Sequence, residues 1–162
     1  MLKSLHIRNY VLIESLHVNF NKGFVAITGE TGSGKSILLD AFALLLGDRS
    51  DVKSIRVGQD KCTVEAVFAI SKERFDSFFH ENDLDFSEET VVRREVNSKG
   101  KSRAFINDTP VTLTVLKQFT EQVVDCILST RMPCCSANLF GMKWLMRFRN
   151  RKTFGIPIAR IF

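Results

Sequence analysis

The sequence of 162 residues lacks an apolar run of about 18 residues, the length from which a membrane-spanning helix is recognised. Its N-terminus carries Lys3, His6 and Arg8 where a secretory signal peptide has an apolar stretch. The four cysteines form no Cys-x-x-Cys pair and the three histidines are scattered, so the spacing of a zinc finger is absent. We therefore expect a cytoplasmic chain with no membrane contact and with ordinary thiols and imidazoles.

Acidic residues are missing from one part of the chain. Residues 126–162 contain seven of the 23 Lys and Arg residues and none of the 18 Asp and Glu residues. Residues 1–125 therefore carry a net charge of −2, although the whole chain carries +5. The C-terminal part also holds three of the four cysteines and the only tryptophan. This break predicts a folded domain over residues 1–125 and a basic, cysteine-containing tail over residues 126–162.

The composition of 44% hydrophobic and 25% charged residues is typical of a globular domain with a core. Apolar and polar residues alternate over 5–8 and 16–20, which predicts two half-buried antiparallel strands. A turn at 21–23 leads to a continuous apolar run at 24–28, the pattern of a central strand. Residues 37–46 predict a buried helix that ends at Gly47.

The rest of the body predicts further alternation of strands and helices. In order, we expect a strand at 63–70, a helix capped by Ser71, a solvated acidic loop at 81–89, strands at 90–96 and 103–107, a turn at 107–110 and a helix near 112–122. Within the first of these helices, Phe75, Phe78 and Phe79 are expected in the core. The predicted fold is α/β, a nucleotide-binding core that carries an antiparallel β lobe.

The most specific motif is Gly-x-x-x-x-Gly-Lys-Ser, formed by Gly29, Glu30, Thr31, Gly32, Ser33, Gly34, Lys35 and Ser36. A loop that wraps a polyphosphate turns its backbone N–H groups inward, so glycine is favoured where a Cβ would obstruct. Lys35 supplies a cation to the β- and γ-phosphates, and the Ser36 hydroxyl can ligate Mg²⁺. The helix that follows points its positive end at the anion. The motif predicts a nucleotide site with Mg²⁺.

The phosphate loop does not by itself define the reaction. An Asn-Lys-x-Asp base reader is absent, which disfavours a GTPase. Two antiparallel strands before the loop are unusual in small-molecule kinases and favour the head of an ATP-binding-cassette protein. Another P-loop nucleotide-binding protein remains an alternative.

Four segments resemble the N-terminus of the RecN family, bacterial DNA-repair proteins of the structural-maintenance-of-chromosomes (SMC) class. These segments are residues 5–14, 29–41, 102–107 and 110–113, in the family's order, and the resemblance runs from residue 2 to about 125. It implies the N-terminal part of an ABC/SMC-type ATPase head that binds ATP and Mg²⁺ and acts in recombinational repair of DNA double-strand breaks. The implied partners are DNA, a second head and the C-terminal half of the head, and the implied location is the bacterial cytoplasm, at the nucleoid.

The resemblance also implies that the head is incomplete. Family members continue into a coiled coil and return with a signature motif, a Walker B Asp-Glu pair and a switch histidine, which these 162 residues lack. We therefore expect no ATP hydrolysis by this chain alone.

The tail suggests why the resemblance stops. After residues 122–125 the family usually continues with a segment containing Gln-His-Glu, and regrouping the codons by one nucleotide allows that tripeptide at Leu128 to Arg131. Residues 126–162 are thus expected to be a frameshifted tail, with a divergent native C-terminus as the alternative. A frameshift leaves open a second class of interpretation, a non-functional truncated product without a stable fold.

Basic residues cluster on the predicted hairpin of residues 90–107. They are Arg93, Arg94, Lys99, Lys101 and Arg103, opposed locally by Glu95. Such a cluster is the best local candidate for contacts to a DNA phosphate backbone, and an ordinary solvated hairpin is the alternative.

Overall fold

The computed structural model describes residues 1–21, 27 and 34–123. Its strands are β1 (Leu2–Tyr10), β2 (Ile13–Asn19), β3 (Lys61–Ala69), β4 (Glu89–Asn97), β5 (Ser102–Ile106) and β6 (Thr109–Val111). Its helices are α1 (Lys35–Leu45), α2 (Lys72–Glu81) and α3 (Leu113–Val123), with a 3₁₀ turn at Val52–Ser54. The predicted turn at 21–23, the central strand at 24–28 and the tail fall wholly or largely outside the described residues. Within the described part, no helix is long and apolar enough to cross a membrane.

The six strands form one antiparallel sheet in the order β2-β1-β3-β4-β5-β6. The predicted N-terminal pair is confirmed, with Leu5 opposite Val18 and Ile7 opposite Leu16. The hairpin of β4 and β5 is confirmed as well, joined through the turn that contains Gly100. The antiparallel β lobe expected from the sequence is therefore present.

The sheet has two unlike faces, because successive side chains of a strand point to opposite sides. The inner face is packed by helices and carries Leu5, Ile7, Cys62, Val64, Ala66, Phe68, Val92, Arg94, Val96, Ser102, Ala104 and Ile106. The outer face carries His6, Arg8, Thr63, Glu65, Arg93, Glu95, Arg103 and Phe105, and these side chains are exposed or half-buried. The alternation of apolar and polar residues along the sequence thus becomes a covered side and an open side.

Helix α1 packs on the inner face against β3 and β4. Its residues Leu38, Ala41, Phe42, Leu44 and Leu45 are buried, which confirms the buried helix. The helix ends just before Gly47, whose φ of 104° requires glycine at this position. A Cβ there would also lie 2.6 Å from the Lys117 side chain of α3.

Helices α2 and α3 pack against each other through aromatic side chains. The ring of Phe119 lies 5.6 Å from that of Phe75, 5.7 Å from that of Phe78 and 6.0 Å from that of Phe79. All four rings are buried, so the expectation that the α2 phenylalanines belong to the core is confirmed. Ser71 occupies the N-cap position of α2, but its side chain makes no capping hydrogen bond.

Two segments differ from the sequence expectation. The acidic stretch after α2 is not simply a solvated loop, because Leu84 is buried and the Phe86 ring packs 5.4 Å from that of Phe79. The turn expected at 107–110 is confined to Asn107 and Asp108, and the residues that follow form β6. Both turn residues have positive φ, 47° and 62°, the conformation of a two-residue hairpin turn.

Candidate nucleotide site and basic hairpin

The N-terminus of α1 begins at the phosphate-loop motif. Gly34 occupies the N-cap position with φ of 84°, in the left-handed region that favours glycine. This backbone conformation is itself a reason for glycine at this position, whatever surrounds it. Residues 29–33, which carry the other expected phosphate contacts, lie outside the described residues.

Lys35 and Ser36 are the first two residues of α1. The Leu38 N–H donates to the Gly34 carbonyl at 3.0 Å, so the first turn of the helix is regular. This turn contains no acidic residue, and the Ser36 side chain is exposed. A helix N-terminus with a lysine and a hydroxyl, and without a nearby acid in its first turn, fits an anion with an associated Mg²⁺.

A buried tyrosine lies beside α1. Tyr10 ends β1 and is 4% exposed, and burial raises the pKa of its hydroxyl, with the Asp40 carboxylate of α1 acting in the same direction. Two backbone hydrogen bonds join this end of β1 to the segment after α1, from Val11 N–H to Ser54 and from Arg56 N–H to Asn9. The first strand, the phosphate-loop helix and the segment that follows it are therefore held together.

The basic hairpin divides between the two faces of the sheet. Lys99, Lys101 and Arg103 are exposed, whereas Arg94 is 4% exposed and lies on the inner face. Arg94 therefore does not share a surface with the other four cations. Neighbouring strand residues point to opposite faces, and this alternation separates Arg94 from Arg93.

Arg93 stays on the outer face but is engaged within the chain. Its Nη1 lies 2.9 Å from the Asp108 carboxylate, and its guanidinium lies 4.6 Å from the centre of the Phe105 ring. Glu95, the acid expected to oppose the cluster, lies 3.7 Å from Arg93 and 3.6 Å from Lys61. The cations most open to a ligand on this hairpin are therefore the two lysines of the turn and Arg103.

The turn that carries the two lysines is held by one side chain. The Asn97 carboxamide oxygen accepts hydrogen bonds from the backbone N–H of Lys99 at 3.1 Å and of Lys101 at 2.9 Å. Gly100 sits between them with φ of 77°. Both lysines are thus presented to solvent from a fixed turn, which matches what a phosphate backbone contact needs.

Sequence reasoning missed one pair of polar residues. Arg94 and Ser102 lie on the inner face of neighbouring strands, and each has a buried polar atom without a hydrogen-bond partner. The signal was present in the sequence, because Arg94 alternates with Val92 and Val96 and so shares their face. Arg94 also stands beside other basic residues in the sequence, and assigning all of them to one surface hid its place on the apolar face.

Comparisons with known proteins agree with this geometry. A family model described as an AAA domain matches residues 4–139. The DNA repair protein RecN of Vibrio cholerae serotype O1 is 39% identical over 126 residues, and that of Haemophilus influenzae is 38% identical over 128 residues. The alignments cover 77% and 76% of this chain and 23% of each relative, so the chain spans about a quarter of the length of these curated relatives.

The fold matches a solved structure as well. The SMC head domain from Thermotoga maritima superposes with a TM-score of 0.58 and 25% identity, covering 73% of this chain and 41% of that one. The resemblance to the RecN family seen in the sequence is confirmed by these matches. The chain belongs to the AAA-domain family, and its described residues have the fold of the N-terminal part of an SMC-type ATPase head.

Proposed function

We propose that this chain binds ATP and Mg²⁺ through residues 29–36, as the N-terminal part of a RecN-like head that acts in recombinational repair of DNA double-strand breaks. The observation that carries the proposal is the start of α1, where Gly34, Lys35 and Ser36 stand at a helix N-terminus without an acid in its first turn. Lys35 is assigned to the β- and γ-phosphates and Ser36 to Mg²⁺. The metal, when bound, neutralises phosphate charge.

A thermal-shift experiment with the full chain tests the nucleotide site. ATP with Mg²⁺ at a hundredfold excess over its dissociation constant should stabilise the fold by about 2.7 kcal/mol. Lys35→Ala should abolish the shift, whereas Lys72→Ala, which removes an exposed lysine from the first residue of α2, should retain it. Equal shifts in the two variants would contradict the assignment of Lys35.

The same preparation separates binding from turnover. The proposal expects no phosphate release by the chain alone, because the resemblance assigns the hydrolytic groups to motifs that this sequence lacks. Steady release that Lys35→Ala abolishes would favour the alternative, another P-loop enzyme.

We further propose DNA as a partner, contacted by Lys99, Lys101 and Arg103 with Arg93 beside them. The RecN relatives are named as DNA repair proteins, and the exposed lysines lie on a fixed turn. Association with a second head, completion by the C-terminal half of the head and location in the bacterial cytoplasm at the nucleoid belong to the same proposal.

Salt dependence tests the DNA contact. Each lost phosphate contact should lower the slope of log affinity against log salt by about 1, so Lys99→Glu with Lys101→Glu should flatten it by about 2. Lys72→Glu with Lys117→Glu makes the same charge change on helices and serves as the control. A slope that falls equally in both double variants would point to net charge rather than this hairpin.

We also infer that residues 126–162 are translated out of frame. The support is compositional, since this part contains no acidic residue and begins where the four RecN-like segments and their surroundings end, while the broader AAA-domain match extends to residue 139. Reading the gene around codons 120–140 decides it. The neighbouring frame should encode Gln-His-Glu, and an immediate stop there would mean a divergent C-terminus instead.

A further inference from the structure

In the described part of the chain, the inner face of the sheet contains two buried polar groups without hydrogen-bond partners. They are the Nε atom of Arg94 on β4 and the Oγ atom of Ser102 on β5. Arg94 is 4% exposed and its neighbours along the strand on this face are Val92 and Val96, which are fully buried. Buried polar groups in native proteins are nearly always hydrogen-bonded, so each of these two requires an explanation.

The two groups lie on adjacent strands of the same face. Arg94 is paired with Ala104, and Val96 is paired with Ser102, so Arg94 and Ser102 are diagonal neighbours. Diagonal positions in an antiparallel pair are about 7–8 Å apart, within reach of a long side chain. One ligand can therefore receive a hydrogen bond from the guanidinium and another from the hydroxyl.

The guanidinium of Arg94 also lacks a counter-charge among residues 1–21 and 34–123. Among the described residues no carboxylate forms an ion pair with it, whereas its neighbour Arg93 lies near Glu95 and Asp108. Burial lowers the pKa of Arg94, which is the direction expected for a cation removed from water. A buried charge without a partner is strongly unfavourable, so this position is built for an anion.

We propose that Arg94 and Ser102 form a binding site for a carboxylate side chain from the part of the head that this chain does not contain. A carboxylate fits better than a phosphate, because a single negative charge leaves no excess charge on an apolar face. The assignment of this carboxylate to another part of the head rests on the proposed function, in which another segment completes the head.

The chain itself offers few acids for this site beyond the described residues. These acids are Glu30 and Asp125. Glu30 belongs to the proposed nucleotide loop. Asp125 lies at the end of the segment that resembles the family. Because the alignments cover only 23% of each RecN relative, most candidate carboxylates of a complete head lie outside this chain, and one of them is the better occupant.

Thermal unfolding of the full chain in sodium formate, against sodium chloride at equal ionic strength, tests the site with the smallest carboxylate. Formate should raise the Tm in a concentration-dependent way. Arg94→Met should abolish this formate-specific rise, and Ser102→Ala should reduce it. Arg8→Met removes an exposed cation from the outer face of β1 and should leave the rise unchanged.

The result without formate is a second, independent measurement. Arg94→Met should have a higher Tm than the parent chain, because it removes an unpaired buried cation. A folded Arg94→Met variant whose Tm lies well below that of the parent chain would show that Arg94 is already paired within the chain and would overturn the proposal. If far-UV circular dichroism shows Arg94→Met unfolded, the formate response of Ser102→Ala decides.

Two further outcomes identify the ligand class and separate the proposals. A rise with inorganic phosphate but not with formate would overturn the carboxylate assignment. A rise with formate that is equal in all variants would be a general solvent effect and would also overturn it. The thermal shift of Arg94→Met with ATP and Mg²⁺ measures the nucleotide site separately. A negative result for the carboxylate site therefore does not change the conclusion about ATP binding.

Discussion

Arg93 and Arg94 are neighbours in sequence, but their side chains lie on opposite faces of the sheet. Arg93 lies on the outer face, paired with Asp108 and stacked on Phe105, and its side chain is 27% exposed, although its Nε atom is buried without a hydrogen-bond partner. Arg94 lies on the inner face, 4% exposed and without an ion pair among the described residues. The comparison shows that strand alternation, rather than proximity along the chain, decides which charges belong to a common surface.

The largest expected difference between the two faces concerns their aromatic residues. Phe119 of α3 is fully buried against the inner face, whereas Phe105 is half-buried on the outer face. Phe119→Ala should lower the free energy of unfolding by about 3–5 kcal/mol, because its ring contacts several others and leaves a cavity. Phe105→Ala should cost about 1 kcal/mol, since it loses mainly the Arg93 contact.

Urea denaturation of both variants measures this contrast. The midpoint should move far for Phe119→Ala and little for Phe105→Ala. Comparable losses would mean that the outer face is covered in solution and that the two faces are not as unlike as the structure indicates.

Much of this arrangement could be predicted from the sequence. Alternation along β1 to β4 gives the two faces, and a run of apolar helix formers gives α1. Strand β6 was not predicted, because it has only three residues and contains Pro110, which cannot donate a backbone hydrogen bond. Proline is tolerated on an edge strand, and β6 lies at the edge of the sheet.

The nucleotide site could be predicted from the sequence, whereas the unpaired Arg94 and Ser102 could not. Lys35 and Ser36 follow from the motif, because its spacing depends on local chain geometry alone. The isolation of Arg94 and Ser102 depends on the pairing of β4 with β5 and on which charges lie across the sheet. Those are long-range facts that a local pattern does not contain.

The next expected effect is a pH dependence that originates on the inner face. Burial raises the pKa of the Cys62 thiol above its ordinary value of 9.0. The folded state therefore favours the neutral thiol, and this contribution is fully present below the unfolded pKa and is lost as pH rises through the folded pKa. The free energy of unfolding should fall as pH increases above about 9.

Cys62→Ala is the matched variant for this effect. It should flatten the alkaline part of the stability profile whatever its effect on stability at neutral pH. Burial also raises the pKa of Tyr10, so Tyr10→Phe should flatten the profile at still higher pH. Parallel profiles for the parent chain and Cys62→Ala, followed by urea titration at each pH, would show that the thiol is not enclosed.

The smallest expected effect lies on the outer face. Asp108 is 81% exposed in its pair with Arg93, and exposed ion pairs contribute at most about 1 kcal/mol, less at high salt. Asp108→Asn keeps a residue that tolerates the positive φ of the hairpin turn and removes only the charge.

Asp83→Asn is the control, because Asp83 also has positive φ and forms no ion pair among the described residues. A small loss of Tm confined to Asp108→Asn and erased by about 1 M salt, where the screening length is near 3 Å, is expected. A loss that persists in salt would mean that Arg93 is held in a buried pair, and that the difference between the two arginines is one of partner rather than of exposure.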